Sequence, residues 1–451
     1  MGYPIRPPTF SELVEGTDKC KLDAMHKERV EALIVYDPKK ELLVPSRFCS
    51  FHLAGFDLDE KCEYLHSEIT AVLANVPLGP PYQPDPSRPR KLLSTYVTTN
   101  EHFEMADSSI NVISLRVVRA GPDYTYPIEV YGKVIARDEV DHKCVFLFDR
   151  ERMDAQLINS EKDMLALTGP YRALVTLAWM YFEFDLKIKG EGEHDTGVQF
   201  SKGVISHYYN PYHKRIIYQL PSFQSTVKLV LERVSLPVAA SIEVNVVKEG
   251  HDATVVHYDG KITAGTTRNY RQHMVVYDSS VPSSGGLVSG NGSLVLNCNL
   301  VAVKGYVEDP ALEEDEKLVL YVCFLDAGCE IEDEDYQRSE QVDDDDEEEG
   351  EQDEEQEQDV AQVEDEEEQD EEQEQDEAQE DDEEEDPKNV VTLRYPLRET
   401  IWENGSCKLK VKVNWTAVPD MPERTDFFHR YTLLPKGYQE PDYRWGFSRI
   451  N

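Results

Sequence analysis

Carboxylates are the one functional group that this sequence gathers in quantity. Between Glu330 and Asp386 there are 37 acidic side chains against a single base, Arg338, a net charge of −36. The densest runs are Asp343, Asp344, Asp345, Asp346, Glu347, Glu348 and Glu349, then Glu366, Glu367 and Glu368, then Glu383, Glu384 and Glu385. Carboxylates this numerous and this close do electrostatics rather than catalysis. They attract basic proteins, multivalent cations and polyamines, and they repel nucleic acid and anionic membrane. The expected partners are therefore basic proteins reached through this tract, with no direct contact to nucleic acid or membrane. The plainer alternative is a solubilising bristle with no specific partner.

Imidazoles and phenols crowd a second stretch, HYYNPYH, from His207 to His213. Two imidazoles with adjacent phenols can coordinate a transition metal or stack on a ligand. A turn built on Asn210 and Pro211 between two strands explains the same residues, and no third metal ligand is evident. His251 and His257 fall on one face of a strand but ~20 Å apart, too far to share a metal. Asp138 and Asp141, within ARDEVDHK (Arg137 to Lys143), could hold calcium weakly, although turn chemistry accounts for them equally well. The fingerprints GxSxG and HExxH, the phosphate loop and the dinucleotide loop are all missing from the sequence. The sequence thus predicts a protein that is not an enzyme, with no catalytic residues, no metal site and no cofactor.

The framework that must carry these groups is β. In YFEFDLKIKG, Tyr181 to Gly190, the residues Phe182, Phe184, Leu186 and Ile188 alternate with Tyr181, Glu183, Asp185, Lys187 and Lys189. Successive side chains of a strand face opposite ways, so the apolar face expects a partner layer and the charged face expects water. From Ile110 onward similar segments recur, among them INVISLRVV, PIEVYGKVIA, TVKLVLERVSL, SIEVNVV and KLVLYVCFL, with Gly, Pro, Asn or Asp between them. Many short strands without helical periods between them predict an antiparallel β-sandwich.

Upstream, Asp59 precedes EKCEYLHSEITAVLAN, where Cys62, Leu65, Ile69, Val72 and Leu73 recur at helical spacing up to Pro77. The following PLGPPYQPDPSRPRK reads as an extended connector. Downstream, DEEQEQDVAQVEDEEEQ (Asp353 to Gln369) is followed at once by DEEQEQDEAQEDDEEED (Asp370 to Asp386), a tandem duplication in low-complexity sequence. Such composition cannot bury enough surface to offset its ordering entropy and is expected to be disordered. Strand patterning then resumes in NVVTLRYPL and CKLKVKVNWTAV. The tract therefore reads as an overgrown loop between two strands of one sheet, at a closure cost of roughly 2 kcal/mol. The expected organisation is an α-containing extension and proline-rich linker (1–105), a sandwich in two parts (106–329 and 387–420), the disordered insertion (330–386) between them, and an aromatic C-terminal tail (421–451).

Of a formal charge of −43, the residues outside the tract carry only −7, so the folded part is close to neutral. The eight cysteines form no CxxC pair, the start lacks the apolar run of a signal peptide, and no segment approaches the ~20 apolar residues that span a bilayer. These features predict an intracellular protein, cytoplasmic or nuclear, with free thiols.

The runs PIEVYGKVIARDEVDHKCVFLFDRERMD, LALTGPYRA and YFEFDLKIKG resemble a plant domain of unknown function, found alone or fused C-terminal to ribosome-inactivating rRNA N-glycosylase domains. The matching residues are Gly132, Ala136 to Asp138, Phe148, Arg150, Leu167 to Pro170, Arg172, Phe182, Glu183, Leu186, Lys187, Lys189 and Gly190, with KLKVKVNWTAV as a closing strand. The resemblance covers about Ile110 to Asp420 apart from the acidic tract. It implies a β-sandwich without assigned chemistry, with a stress or defence role. The N-glycosylase pattern Glu-Ala-x-x-Arg does not come with it, because Glu31 and Ala32 are followed by Leu33, Ile34 and Val35. The functional expectation is a non-enzymatic interaction module whose acidic loop binds basic proteins or cations. The alternatives are a ligand- or carbohydrate-binding sandwich using Tyr208, Tyr209 and Tyr212, and an N-glycosylase-associated protein without catalytic residues of its own.

Overall fold

The computed structural model describes residues 19–49, 57–62, 95–98, 101–104 and, with breaks, 106–418. The longer breaks are 191–196, 210–213, 248–257, 269–272, 282–291, 306–315 and 325–388. The acidic runs from Asp343 to Glu385 therefore lie outside the described residues, as do the proline-rich stretch, His251, His257, Tyr212 and the aromatic tail.

One helix, α1 (Lys19–Leu33), leads into a hairpin of β1 (Ile34–Asp37) and β2 (Leu42–Pro45), and a second hairpin pairs β3 (Thr95–Thr98) with β4 (Glu101–Glu104). The body begins with β5 (Ser108–Ala120), β6 (Ile128–Arg137), β7 (Val145–Arg150), β8 (Gln156–Ile158), β9 (Leu174–Val175) and β10 (Trp179–Ile188). It continues with β11 (Val198–Tyr208), β12 (Arg215–Ser222), β13 (Ser225–Ser235), β14 (Pro237–Val246), β15 (Gly260–Thr266) and β16 (Met274–Asp278). It closes with β17 (Leu300–Lys304), β18 (Leu318–Phe324), β19 (Val390–Leu393), β20 (Glu399–Asn404) and β21 (Cys407–Ala417). All pairs of these strands are antiparallel, and the protein is mainly β, as its patterning predicts.

The strands sort into four main sheets. Sheet I runs β11-β10-β6-β7 with β8 also on β6, and sheet II runs β12-β13-β5-β9. Sheet III runs β17-β14-β21-β20, and sheet IV runs β16-β15-β18-β19. Strands β5 to β13 thus fill sheets I and II, and strands β14 to β21 fill sheets III and IV. The sequence reading expected a single large sandwich. Alternation tells which face of a strand is buried and leaves the choice of pairing partner open. The inner faces still share one contiguous apolar cluster, which includes Phe182, Phe184 and Leu186 of β10, Leu229 of β13, Val244 of β14, Leu320 of β18, and Val411 and Trp415 of β21. Each such side chain contributes ~1.5–3 kcal/mol on burial.

Within sheet I, β10 lies between β6 and β11, with Leu186 opposite Gly132 on one side and Ser201 on the other. Gly132 has φ +121°, and a Cβ there would sit 2.1 Å from the Asp185 carbonyl oxygen. Only glycine allows the close approach.

The second face of β10 differs from expectation. Glu183 and Tyr181 are only 4% and 8% exposed, because Val30 of α1, Phe48 and Leu58 pack over Tyr181 as a separate apolar cluster. Asp185 and Lys187, further along, do keep partial exposure. The covering segment comes from more than a hundred residues upstream, a partner that local alternation does not reveal. The helix expected from Glu60 does not start there, since Lys61 forms a parallel β-bridge with Cys144; most of that predicted helix lies outside the described residues.

At the other end of the body, β18 and β19 are hydrogen-bonded neighbours, from Leu318↔Leu393 to Tyr321↔Val390. The chain carrying the acidic tract leaves one strand of sheet IV and returns to the next. The Asn404 amide nitrogen donates to Asn389 Oδ1 at 2.9 Å, fixing the point of return.

Candidate functional site

Arg137, Asp138, Arg172 and Glu183 are all buried, and the fold brings them together around the upstream segment. β6 delivers Arg137 opposite Tyr181 of β10, next in register to the Ala136↔Phe182 pair, and Asp138 follows at the strand end. The guanidinium of Arg137 donates from Nε to Glu183 Oε1 at 2.7 Å and from Nη2 to Oε2 at 3.0 Å. Nη2 also donates to the Leu58 carbonyl at 2.6 Å, and Nη1 donates to the His142 carbonyl at 2.9 Å. Glu183 also accepts from Arg47 Nε at 3.1 Å and from the backbone N–H of Phe48 at 2.8 Å.

A second pair stands beside the first. Arg172 donates to both oxygens of Asp138, at 2.5 and 2.7 Å, and the N–H of Val175 donates to Asp138 Oδ2 at 2.9 Å. Two guanidinium nitrogens of Arg172 also lie 3.2 and 3.3 Å from Cys62 Sγ. Burial opposes the charge on Arg172, but Asp138 overcomes it and holds the pKa well above the ordinary arginine value. The calcium reading of Asp138 and Asp141 fails here: Asp138 is neutralised by Arg172, and Asp141 accepts from the N–H of Lys143 at 2.9 Å. Among the described residues no group of three or more His, Cys, Asp or Glu could hold a metal ion.

Charged groups this deeply buried persist only when paired and hydrogen-bonded, and removing one partner is strongly destabilising. The arrangement is a staple rather than a reactive centre. Its thiols agree with that. Burial, then the charge of Glu183, pushes Cys49 up to about 11, and burial raises Cys144, so both stay protonated at neutral pH. His142 stacks on Phe48 with ring centroids 5.7 Å apart, and burial lowers its pKa to about 4.

Of the HYYNPYH stretch the described residues His207, Tyr208 and Tyr209 take different surroundings. His207 points into the body, hydrogen-bonded through Nδ1 to the Tyr218 hydroxyl at 2.8 Å, with its pKa lowered to about 4 by burial. Tyr209 accepts from Arg233 Nη1 at 3.2 Å. Tyr208 is exposed and lies against Trp179, the first residue of β10, with ring centroids 4.8 Å apart. Trp179 was not singled out from sequence, because the pairing of Trp179 with Tyr208 depends on the β10–β11 register. A third feature, also absent from the sequence reading, is a groove of about 500 Å³ on sheet III. It is lined by Ser241, Glu243, Asn299, Arg398, Lys412 and Asn414 among others. Its charges are of both signs, and Lys412 lies 3.8 Å from Glu243.

The residues quoted for the family resemblance occupy structural positions. Phe148, Phe182 and Leu186 are core, Arg150 pairs with Asp154 at 2.9 Å, and Lys189 pairs with Glu129 at 2.7 Å. Arg137, Asp138, Arg172 and Glu183 form the staple. No curated protein and no solved structure matches the chain significantly. The sequence profile of the domain of unknown function DUF6598 matches residues 109–364, more than half of the chain, and contains every strand of sheets I and II apart from the first residue of β5. On that match the chain belongs to the DUF6598 family, a domain of unknown function.

Proposed function

We propose that this protein is a non-enzymatic interaction module in which the acidic tract 330–386 engages basic protein surfaces or multivalent cations. The observation that carries the reading is the segregation of charge, −36 in the tract against −7 in everything else. The pairing of β18 with β19 supports it, because a segment that leaves and re-enters at neighbouring strands adds charge without changing any register. The buried polar residues support it too: Arg137, Asp138, Arg172 and Glu183 are engaged with one another and with backbone. Among the described residues no disulfide is formed, which fits a reducing intracellular compartment. Plant origin and a stress or defence role, which the resemblance implies, belong to the same proposal.

The test is a deletion of residues 340–385. The full chain is expected to be retained on immobilised histone at low salt and eluted by moderate salt, and the deleted chain to pass through. Equal retention of both chains would sink the proposal.

A second reading rests on the exposed Trp179–Tyr208 pair, which offers two aromatic faces to a sugar ring. Glycan binding that survives high salt and disappears in Trp179→Ala would favour it over the electrostatic one.

A further inference from the structure

Sheet I carries a set of side chains arranged to read another stretch of backbone. Glu183 accepts the Phe48 N–H and the Arg47 guanidinium, Arg137 donates to the Leu58 carbonyl, and Cys144 Sγ donates to the same carbonyl at 3.1 Å. The backbone of Cys144 pairs with that of residues 60–62, donating to Glu60 O at 2.9 Å and accepting from Cys62 N at 3.1 Å. Tyr171 donates to the Cys62 carbonyl, Arg172 to its sulfur, and Lys143 Nζ bonds Glu60 at 2.6 Å. The Phe48 ring, 1% exposed, is held edge-on to Tyr181 at 4.5 Å and stacked on His142.

Two facts separate receiver from received. Every receiving side chain, from Arg137 to Glu183, lies inside the family match at 109–364, and every received group, from Arg47 to Cys62, lies outside it. The received residues end at Cys62, and 63–94, which includes six prolines between Pro77 and Lys91, separate them from the next described strand. A body whose own Arg137 and Glu183 are wholly buried needs something over them, and the family domain does not include it.

We propose that the family domain carries a peptide-binding socket on the outer face of sheet I, and that residues 46–49 and 57–62 are its ligand, tethered in cis. The socket takes a chain with an arginine and an aromatic residue in sequence, the aromatic residue's amide being read by Glu183. Its second half turns at Leu58 and Asp59 and meets Cys144 through a single parallel β-bridge at Lys61, a minimal form of β-addition. This is independent of the acidic tract and of the function proposed for it.

The test cuts the tether and leaves the protein whole. A site-specific protease sequence is inserted after Asp85 in the full chain, which is cleaved and run on size exclusion at micromolar concentration. The N-terminal fragment is expected to co-elute with the body and to be displaced by excess synthetic peptide spanning residues 44–63. The same peptide carrying Arg47→Ala and Phe48→Ala is expected to compete about a hundredfold less well, the worth of the contacts made by those two residues. In the uncut chain, Glu183→Gln is expected to speed trypsin cleavage after Arg47. Loss of the fragment on cleavage overturns the proposal. So does a fragment that neither peptide displaces, or that both displace alike.

Discussion

Arg172→Met tests whether the buried pairs hold this fold together. The substitution keeps an apolar stem and removes the charge opposite Asp138, which is fully buried. Asp138 would keep the hydrogen bond from the Val175 N–H at 2.9 Å and lose both from the guanidinium. Ala173 O, which accepts from Arg172 at 3.0 Å, would lose that donor as well. Breaking a buried ion pair from one side costs ~3–5 kcal/mol, which for a body of this size lowers Tm by roughly 6–20 °C. Urea unfolding followed by tryptophan fluorescence measures the loss, with the slope m expected to stay constant. The double variant Asp138→Asn, Arg172→Met removes both charges and is expected to regain most of it. A coupling energy above ~2 kcal/mol in that cycle supports the staple. A single-variant loss below ~1 kcal/mol, or a coupling near zero, would refute the reasoning.

Other outcomes follow from the same contacts. His142 and His207 are buried neutral with pKa values of about 4, against about 6.5 in an unfolded chain. Their contribution is full above pH 6.5 and is lost as pH falls toward 4, about 3 kcal/mol each, so the urea midpoint should drop over that interval and drop less in His207→Gln. Gly132→Ala puts a Cβ 2.1 Å from the Asp185 carbonyl oxygen at a φ of +121° and should cost at least ~2 kcal/mol by the same assay. Deleting 340–385 should leave Tm unchanged or slightly raised, since shortening the β18–β19 connection relieves at most ~2 kcal/mol of closure entropy. A large fall in Tm would contradict the hairpin placement of the tract.

The sequence was readable wherever one strand's own pattern carried the message. Phe182, Phe184, Leu186 and Ile188 sit in the core as their alternation requires, and the resumption of strand patterning after the tract anticipated β19 to β21. Whatever depended on distant partners was not readable. The charges of Glu183 and Arg137 look like a solvated face until Arg47, Phe48 and Leu58 are laid over them, and nothing local to β10 announces that cover. Trp179 carries no pattern of its own in the sequence and is half of an aromatic pair set by register with Tyr208. The groove on sheet III gathers residues from β14, β20, β21 and the strand connections, so no contiguous motif exists to find. The acidic side chains named from sequence lie outside the described residues, and only their points of departure and return, Phe324 and Asn389, have a place in the fold.

The two-sided cover of β10 has a consequence for how this protein opens. The strand is bonded along both edges, to β6 and β11, with apolar packing beneath and the upstream segment above Tyr181 and Glu183. Each central amide bonds one of the two neighbours, so reaching it takes loss of a whole neighbouring strand together with its packing. The N–H groups of Phe182 and Phe184 are therefore expected to exchange through the larger openings of the body. The four-residue edge strand β19 reports instead on local breathing beside the tract.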